Sequence, residues 1–298
     1  MDIKGKHIVI TGATAGIGKA TAMALAGDGA DLTLLNRSPE KAEALSAEMV
    51  AANLPAPTLV TMDMANMASV REAAGEVLAA GKPIDILVNN AGIVNSQRRE
   101  TVDGFEETIG VNHLAVFLLT GMLLPAVERA GSARVVNVAS EAHAFVRSMR
   151  FDDMHAAKRF RTFTEYGRSK LANILFTRSL ANRLEGTTIT ANSLHPGAVS
   201  TSLGQQNPGV LGGVLATLLR PFFRTPEQGA ATTLYLCRSD EVEGVSGRYY
   251  SSCREARPRR WALDDEAAER LWAWSETELG YEFPDIEGAA SHQRTGNE

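Results

Sequence analysis

The amino-acid sequence predicts a single doubly wound α/β domain, in which a mainly parallel sheet of seven strands has helices on both faces. Short β-branched runs alternate with longer helical segments along most of the chain, and parallel strands require such crossovers. No linker rich in Pro, Gly or Ser interrupts this alternation. Residues 1–283 are therefore predicted to form one domain, followed by a polar, disordered tail at 284–298.

Each predicted element rests on local composition and on the residues at its ends. Ser38 and Pro39, for example, are typical of the first positions of a helix. The predicted strands are residues 7–10, 31–35, 58–62, 84–88, 133–139, 188–194 and 248–251. The predicted helices are residues 19–27, 39–52, 69–80, 105–128, 165–184 and 226–236.

Composition excludes several classes of protein. A net charge of −5 argues against a nucleic-acid-binding protein, which needs a basic face. The two cysteines predict free thiols in a reducing compartment, and the scattered histidines predict no metal site. The sequence shows neither a secretory signal nor an apolar run long enough to span a membrane, and its first strand begins near residue 7. We therefore expect a cytoplasmic protein without a membrane span or N-terminal anchor.

A cluster of glycines lies at residues 11–18, directly between the first predicted strand and the first predicted helix. Gly12 permits a tight turn, Gly16 lets the backbone approach a pyrophosphate, and Gly18 lets helix and strand pack closely. The N-terminus of the helix offers unpaired N–H groups to the anion. The arrangement predicts a Rossmann-type dinucleotide-binding turn. The residues predicted to line it are Gly12, Thr14, Gly16, Ile17 and Gly18.

The end of the second predicted strand indicates which dinucleotide is bound. An acidic residue there would accept hydrogen bonds from the ribose 2′-hydroxyl and favour NAD. The sequence has Asn36 and Arg37 instead. Because a guanidinium pairs with a 2′-phosphate, we expect NADP(H) to be favoured over NAD(H). The alternative is that Arg37 is only a solvated surface residue.

Tyr166 and Lys170 are predicted to form an acid–base pair. They lie four residues apart on a predicted helix and so share one face. A nearby cation lowers the pKa of a tyrosine, which makes the phenol usable as a general acid or base for a carbonyl/alcohol pair. Ser140 follows the fifth predicted strand, and the carboxyl ends of such strands face the ligand crevice. Its hydroxyl is therefore predicted to bind a substrate oxygen.

Two asparagine-bearing segments point to the same crevice. Residues 89–92 (Asn-Asn-Ala-Gly) end the fourth predicted strand at that face. Asn112 lies in the middle of a predicted helix, where Asn has poor propensity. Such a local misfit is often a sign of function. A buried, fully hydrogen-bonded amide is the alternative explanation.

Together these motifs make the chain resemble the short-chain dehydrogenase/reductase family. They occur in the family's order and cover most of the chain. The similarity is greatest to the retinol dehydrogenase-like branch, through residues 111–120, 136–143, 166–177 and 193–203. The residues that carry the family resemblance are TGATAGIG at 11–18, Asp63, NNAG at 89–92, Asn112, Ser140, Tyr166, Lys170, Pro196 and Gly197.

The resemblance implies an oxidoreductase that transfers a hydride between a nicotinamide and a carbonyl/alcohol pair. It implies that Tyr166 moves the proton, Ser140 orients the substrate oxygen, and Lys170 holds the nicotinamide ribose and lowers the tyrosine pKa. Asn112 would help to fix Lys170 through a water-linked relay. The other residues implied to bind the cofactor are Asp63 at the adenine amine, Met64, Asn90, Ala91 and Gly92 along its length, and Pro196, Gly197, Val199 and Thr201 at the nicotinamide end.

Two segments on the substrate side each allow two interpretations. Residues 141–165, a longer stretch than in compact family members, form either an active-site wall or a solvated surface excursion. Residues 204–225 place apolar side chains on one helical face. They form either a lid over a lipophilic carbonyl or alcohol, or a face that docks on the core or on a partner subunit. The basic residues of the first segment are Arg147, Arg150, Lys158, Arg159 and Arg161.

A second class of function stays open: a catalytically silent NADP-binding sensor or scaffold protein with the same fold. A sensor has no need to combine the amide, hydroxyl, phenol and ammonium groups named above, so their joint presence favours the enzyme. The physiological substrate and the direction of the reaction are not determined by the sequence. A homodimer and a homotetramer are both compatible with it.

Overall fold

The strands form one sheet that places its carboxyl-terminal ends along a single edge. The computed structural model describes residues 1–197 and 224–286. Within these ranges the sheet has eight strands in the order β3-β2-β1-β4-β5-β6-β7-β8, and all neighbours are parallel except β7 and β8. The strands are β1 His7–Thr11, β2 Asp31–Asn36, β3 Thr58–Thr61, β4 Ile86–Asn89, β5 Ala133–Val138, β6 Ile189–His195, β7 Tyr249–Ser251 and β8 Arg254–Glu255.

Seven α-helices flank this sheet in the described ranges. They are α1 Gly16–Gly27, α2 Pro39–Ala51, α3 Met67–Ala79, α4 Glu107–Glu128, α5 Thr162–Arg183, α6 Pro226–Arg238 and α7 Asp265–Leu279. Helices α1, α2 and α6 bury their apolar side chains against one face, and α3, α4 and α5 against the other. Helix α7 packs on α5. This two-faced burial confirms the predicted doubly wound domain.

The strand order changes direction between β1 and β4, which are neighbours although two strands separate them in sequence. β2 and β3 lie on one side of β1, and β4 and the later strands lie on the other. Ligands of doubly wound sheets bind in the crevice at such a switch point, beyond the carboxyl ends of the strands. The glycine turn after β1 and the Asn-Asn-Ala-Gly segment after β4 therefore meet at this crevice.

Helix α4 is the most apolar of the long elements. By length and mean hydropathy (1.7) it is the one helix of the described ranges that could cross a membrane, and 89% of its apolar window is buried inside the protein. A core helix passes the same test of length and composition. Its buried position agrees with the prediction of a core helix at 105–128, although it begins at Glu107 rather than at residue 105.

The sheet has one strand more than the seven predicted. β8 runs antiparallel to β7 through a turn at Ser252 and Cys253, both of which have positive φ angles of 53° and 58°. Hairpin turns of this kind usually carry Asn or Gly, and neither residue is present here. Helix α7 is also absent from the prediction. Of the predicted lid at 204–225 and the predicted tail at 284–298, only residues 224–225 and 284–286 lie within the described residues.

Candidate active site

The glycine turn after β1 leaves no room for larger residues. Gly12 has a φ of +69°, and a Cβ atom built on it would lie 2.9 Å from the Cβ of Ala91. A Cβ on Gly18 would collide with the carbonyl oxygen of Gly12 and would lie 2.5 Å from Nδ2 of Asn90. Gly16 has a φ of +54°, so a β-carbon would strain the turn there. The backbone of β1, the start of α1 and the end of β4 are thus in close contact.

Thr11 and Asn90 hold this contact together. The hydroxyl of Thr11 accepts the backbone N–H groups of Asn90 and Ala91, each at 3.0 Å. In return, Nδ2 of Asn90 donates to the carbonyl oxygens of Thr11 at 2.9 Å and of Gly12 at 3.1 Å. The predicted residue Asn90 therefore shapes the turn, and Thr11 is a positioning residue that the sequence prediction lacks. Asn89 points elsewhere, because its amide donates to Thr120 and Asn137.

The residues after β2 and β3 line the far side of the crevice. Oδ1 of the buried Asn36 accepts the backbone N–H of Ala13 at 2.8 Å, while its Nδ2 has no partner among the described residues. Arg37 beside it is exposed to solvent. Asp63 is half-buried and its carboxylate accepts the N–H of Ala65 at 3.0 Å; Met64 is buried.

These groups fit a dinucleotide. Helix α1 begins without a side-chain cap, because its N-cap residue is Ala15. Its first N–H groups and its positive dipole end are therefore directed at the crevice, as a pyrophosphate requires. Thr14 and Ile17 lie in this same turn. The unpartnered Nδ2 of Asn36 and the exposed guanidinium of Arg37 supply donors where the adenosine end of the ligand would lie.

Tyr166 and Ser140 form the centre of the candidate site. Tyr166 lies in the first turns of α5 and Ser140 lies just beyond the end of β5. Burial raises the pKa of the Tyr166 phenol, while its hydrogen bond with the Ser140 side chain acts in the lowering direction. Ser140 also caps the short helix Glu141–Phe145, since its hydroxyl accepts the N–H of Ala142 at 3.2 Å. Turn formation and contact with the phenol are therefore both roles of this serine.

Lys170 is almost completely buried one turn after Tyr166. Its Nζ donates to the carbonyl oxygen of Val138 at 3.0 Å and lies 5.8 Å from the centre of the Tyr166 ring. Burial lowers the pKa of this ammonium to about 8. The tyrosine pKa, which the spacing predicts to be lowered, is raised in this structure, because desolvation of the phenol dominates.

Asn112 lies where α4 contains one π-helical turn, Gly110–Leu114. Such turns are frequently found at functional sites. Its Oδ1 accepts the N–H of Ile93 at 2.7 Å, and its Nδ2 donates to the Ile93 carbonyl and to the Ser169 hydroxyl, both at 2.9 Å. A Cβ on Gly92 would lie 3.2 Å from both Oδ1 of Asn112 and Nζ of Lys170. The residues predicted from three distant segments thus meet, with Gly92 between them.

The sequence is similar to known proteins over most of its length. A family model for short chain dehydrogenases matches residues 6–209. The chain belongs to the short-chain dehydrogenase family. It is 41% identical over 284 residues to retinol dehydrogenase 12 of Mus musculus, an alignment that covers 95% of this chain and 89% of the relative. The predicted family and its retinol dehydrogenase-like branch are therefore confirmed.

Solved structures of the short-chain dehydrogenase fold agree with this assignment. An uncharacterised protein from Mycobacterium Paratuberculosis is 32% identical, with a TM-score of 0.77, over 95% of this chain and 97% of that chain. A candidate NAD(P)-dependent gluconate 5-dehydrogenase from Beutenbergia cavernae, solved with NADP at low occupancy, is 27% identical with a TM-score of 0.68. That match covers 84% of this chain and 96% of that chain.

Of the four residues predicted to flank the nicotinamide end of the cofactor, two lie within the described residues and two lie outside them. Pro196 and Gly197 follow β6 at the carboxyl edge of the sheet, and Arg224 donates to the Pro196 carbonyl at 3.4 Å. Val199 and Thr201 lie outside the described residues. Their predicted place at the nicotinamide end stays a prediction.

The segment between Ser140 and Tyr166 is packed rather than solvated. Val146, Met149, Met154 and Ala156 are buried, and the first three pack with residues of α5. The basic side chains on its outer surface are Arg147, Lys158, Arg159 and Arg161, while Arg150 is partly buried. Only the outer surface of residues 141–165 is therefore solvated. The alternative interpretation, that the segment forms a wall of the active site, stays a prediction.

The sequence prediction also lacks two residues beside the catalytic pair. Ser169 is buried, accepts a hydrogen bond from Asn112 and donates to the Tyr166 carbonyl at 2.8 Å. It links the π-helical turn of α4 to the start of α5. Arg168 points away from the crevice into the 141–165 segment, where it donates to the Met149 carbonyl at 2.8 Å. Neither residue stands out by spacing, because serine and arginine are ordinary in helices.

Proposed function

We propose that the chain is an NADP(H)-dependent oxidoreductase that transfers a hydride between the nicotinamide and a carbonyl/alcohol pair on a lipophilic small molecule. The observation that carries this proposal is the position of the Lys170 ammonium 5.8 Å from the centre of the Tyr166 ring, with Ser140 beyond the carboxyl end of β5. The buried Lys170 ammonium lies on the same helix one turn away. Phenol, hydroxyl and cation together are suited to moving one proton at a carbonyl oxygen.

The cofactor, when bound, supplies or accepts the hydride. Ser140 then offers its hydroxyl to the carbonyl oxygen of the substrate, and the Tyr166 phenol donates its proton to that oxygen in the direction of reduction. Burial raises the phenol pKa and so favours the protonated form that this direction needs. Lys170 supplies positive charge and N–H donors beside the phenol. The ribose of the nicotinamide is the ligand we assign to those donors.

The substrate class is proposed from the family branch. The relative from Mus musculus is named as a retinol dehydrogenase, and retinol is a lipophilic alcohol. The 41% identity over 95% of this chain supports a lipophilic alcohol or aldehyde of the same kind. We propose retinoid-like and alkyl aldehydes as the first substrates to examine.

Replacing Tyr166 with phenylalanine is expected to lower kcat at least about 100-fold, because proton transfer by a positioned group contributes roughly 10²–10⁴. NADPH oxidation followed at 340 nm with a panel of lipophilic aldehydes measures this loss. The matched control is Tyr235→Phe, which removes a phenol hydroxyl that is bonded to Glu241 on the protein surface. NADPH binding, followed by its fluorescence, should be unchanged in both variants.

A different result would favour the sensor. The wild-type protein could bind NADPH and yet reduce none of the aldehydes, so that it is as inactive as Tyr166→Phe. That result would reject a catalytic role for this site.

Replacing Arg37 with aspartate is expected to reverse the choice of cofactor. The guanidinium after β2 would pair with the 2′-phosphate of NADP, and hydrogen bonds to charged groups are worth about 1.5–3 kcal/mol. The ratio of kcat/KM for NADPH to that for NADH should therefore fall at least about tenfold. Arg129→Asp, a change at another exposed arginine near the end of α4, is the control. Equal use of both cofactors by the wild-type protein would contradict our reading of Arg37.

A further inference from the structure

Four arginines are concentrated just after β7, in and beyond β8. Arg254, Arg257, Arg259 and Arg260 are all exposed, and in residues 1–197 and 224–286 none of them forms an ion pair. The chain as a whole carries a net charge of −5, so this patch opposes the general balance. Like charges held this closely repel one another, and an anion bound between them relieves that repulsion.

Three of these arginines line a cleft of about 440 Å³. A volume of this size lies within the usual range for small-molecule sites, about 300–1,000 Å³. Its walls are formed by Arg257, Arg259, Arg260, Trp261, Glu141 and His143. An apolar ring and several guanidinium groups in one cleft suit a ligand that is partly apolar and carries an anionic group.

Two lining residues of the cleft, Glu141 and His143, lie within three residues of Ser140 in the sequence. Glu141, one of its lining residues, directly follows Ser140. The ring of His143 joins the two regions: Nδ1 lies 2.7 Å from the Ser140 carbonyl oxygen, and Nε2 lies 3.2 Å from the backbone N of Arg259. A neutral imidazole with its proton on Nδ1 satisfies both contacts, by donating to the carbonyl and accepting from the N–H.

Further contacts hold this wall in place. The indole N–H of Trp261 donates to the His143 carbonyl at 3.0 Å, and the His143 ring packs edge-on against Tyr249. Glu141 is the one acidic residue of the lining, and it accepts a hydrogen bond from the Tyr249 hydroxyl at 3.4 Å. Three guanidinium groups therefore face a single carboxylate that is already engaged, and the cleft keeps a positive balance.

The cofactor phosphates do not account for this charge. The pyrophosphate turn follows β1, and Arg37 follows β2, whereas the arginine cleft adjoins β7 and β8 at the other side of the sheet. Between them lies the end of β5 with Ser140. An anion in the cleft would therefore approach Ser140 from the side opposite the adenosine end of the cofactor.

We propose that this cleft binds the carboxylate or phosphate of a lipophilic carbonyl substrate and so selects anionic over neutral substrates. The proposal rests on the proposed function, because it assigns the substrate class of the same site. Guanidinium groups bind either oxyanion through paired, charge-assisted hydrogen bonds. The reacting carbonyl at Ser140 and the anionic group in the cleft would be opposite ends of one molecule.

Matched pairs of substrates test the selection. We would measure kcat/KM for a series of ω-oxo fatty acids and ω-oxoalkyl phosphates, each against its neutral ester, in the wild-type enzyme and in Arg257→Ser/Arg260→Ser. The acid-to-ester ratio should fall at least about tenfold in the double variant, with kcat/KM for the ester unchanged. Whichever series, carboxylate or phosphate, shows the larger fall in this ratio carries the anionic group that the cleft binds. Arg254→Ser, which removes an arginine outside the cleft, should keep the wild-type ratio.

Two results would overturn the proposal. The acid-to-ester ratio could be the same in the double variant as in the wild type at every chain length. Alternatively, Arg254→Ser could lower the ratio as much as the double variant does, which would indicate the general field of the patch rather than the cleft.

A binding measurement separates this proposal from the proposed function. Calorimetric titration with decanoate and with decanol needs no turnover, and decanoate should bind at least about tenfold more weakly to Arg257→Ser/Arg260→Ser than to the wild type. Arginine-dependent decanoate binding without turnover of any aldehyde would uphold the cleft and reject the proposed function. Reduction of the neutral ω-oxo esters, without any preference for the acids, would uphold the proposed function and reject the anion-binding cleft.

Discussion

Replacing Arg168 with methionine is expected to lower the free energy of unfolding by about 3–5 kcal/mol, the range for breaking one partner out of a buried ion pair. Arg168 and Glu165 are both buried and form such a pair. The guanidinium also donates to the carbonyl oxygens of Met149 at 2.8 Å and Asp153 at 3.0 Å. Methionine would remove these donors and would leave Arg150, at 3.4 Å, as the cation paired with the buried carboxylate. Thermal unfolding should show the loss as a fall in Tm of roughly 10 °C.

The same variant should be sensitive to pH in a defined direction. Burial raises the pKa of the Glu165 carboxyl, and the charge of Arg168 opposes that rise. Without Arg168 the pKa rises further. A group whose pKa is raised by folding stabilises the folded state at low pH and ceases to do so as the pH increases through that pKa. The deficit of Arg168→Met should therefore be larger at about pH 8 than at about pH 5.

Two control variants separate the buried pair from a general effect on α5. Arg178 lies on the same helix and pairs with the exposed Asp265, so Arg178→Met should cost less than about 1 kcal/mol. Arg168→Met/Glu165→Leu also removes the buried carboxylate that has lost its Arg168 partner, and it should recover part of the loss. If Arg168→Met were no more destabilising than Arg178→Met, the buried pair would not stabilise the 141–165 segment.

The features that sequence reasoning predicts well are those with local causes. The strand ends and the glycine turn follow from runs of β-branched residues and from the few residues that tolerate positive φ. Gly12 shows this, because its φ of +69° and its contact with Ala91 both forbid a side chain. Asn112 shows it in another way: an amide out of place in a helix indicates a turn that is not an ordinary α-helical one.

The features that escape prediction depend on contacts between distant segments or on turns without a signature. The Ser252–Cys253 turn carries neither Asn nor Gly, so β8 has no local signal. Asn112 forms hydrogen bonds with Ile93 and Ser169, which belong to other segments of the chain. The residues next to Asn112 in the sequence therefore do not predict these partners.

Helix α7 is a different case, because its signal is present. Asp264 caps it by accepting the N–H of Ala267 at 3.0 Å. Leu271, Trp272, Ser275 and Leu279 then form its buried stripe at helical spacing. The ring of Trp272 packs on Phe176 of α5, so this helix completes the core on that face.

The spacing of two residues in the sequence does not predict how far their side chains are desolvated. At Tyr166 and Lys170, desolvation is the largest cause of the pKa shifts. The i,i+4 relation correctly predicts that the two side chains are neighbours. The direction of both pKa shifts follows from burial, because each charged form loses its hydration in this site. An ammonium kept in such a place without an anionic partner among the described residues costs the folded state stability.

Replacing Lys170 with methionine is therefore expected to stabilise the protein while abolishing its activity. Burial lowers the pKa of Lys170 from 10.5 to about 8, a difference equivalent to about 3 kcal/mol. Methionine is apolar and of similar length, and Asn173 still donates to the Val138 carbonyl, at 3.4 Å. At about pH 6, urea unfolding should give a free energy about 2–3 kcal/mol higher for Lys170→Met than for the wild type.

The pH dependence of that gain decides its cause. A lysine whose pKa is lowered by folding costs its full amount below the folded pKa, and the cost disappears as the pH rises from about 8 towards the unfolded value. The gain of Lys170→Met should therefore shrink to less than about 1 kcal/mol by about pH 10 and disappear above the unfolded pKa. Lys82→Met, which removes an exposed ammonium paired with Asp31, should show no such trend. If Lys170→Met were less stable than the wild type at pH 6, the hydrogen bond to Val138 would outweigh the burial of the charge, and this lysine would be a structural residue as much as a catalytic one.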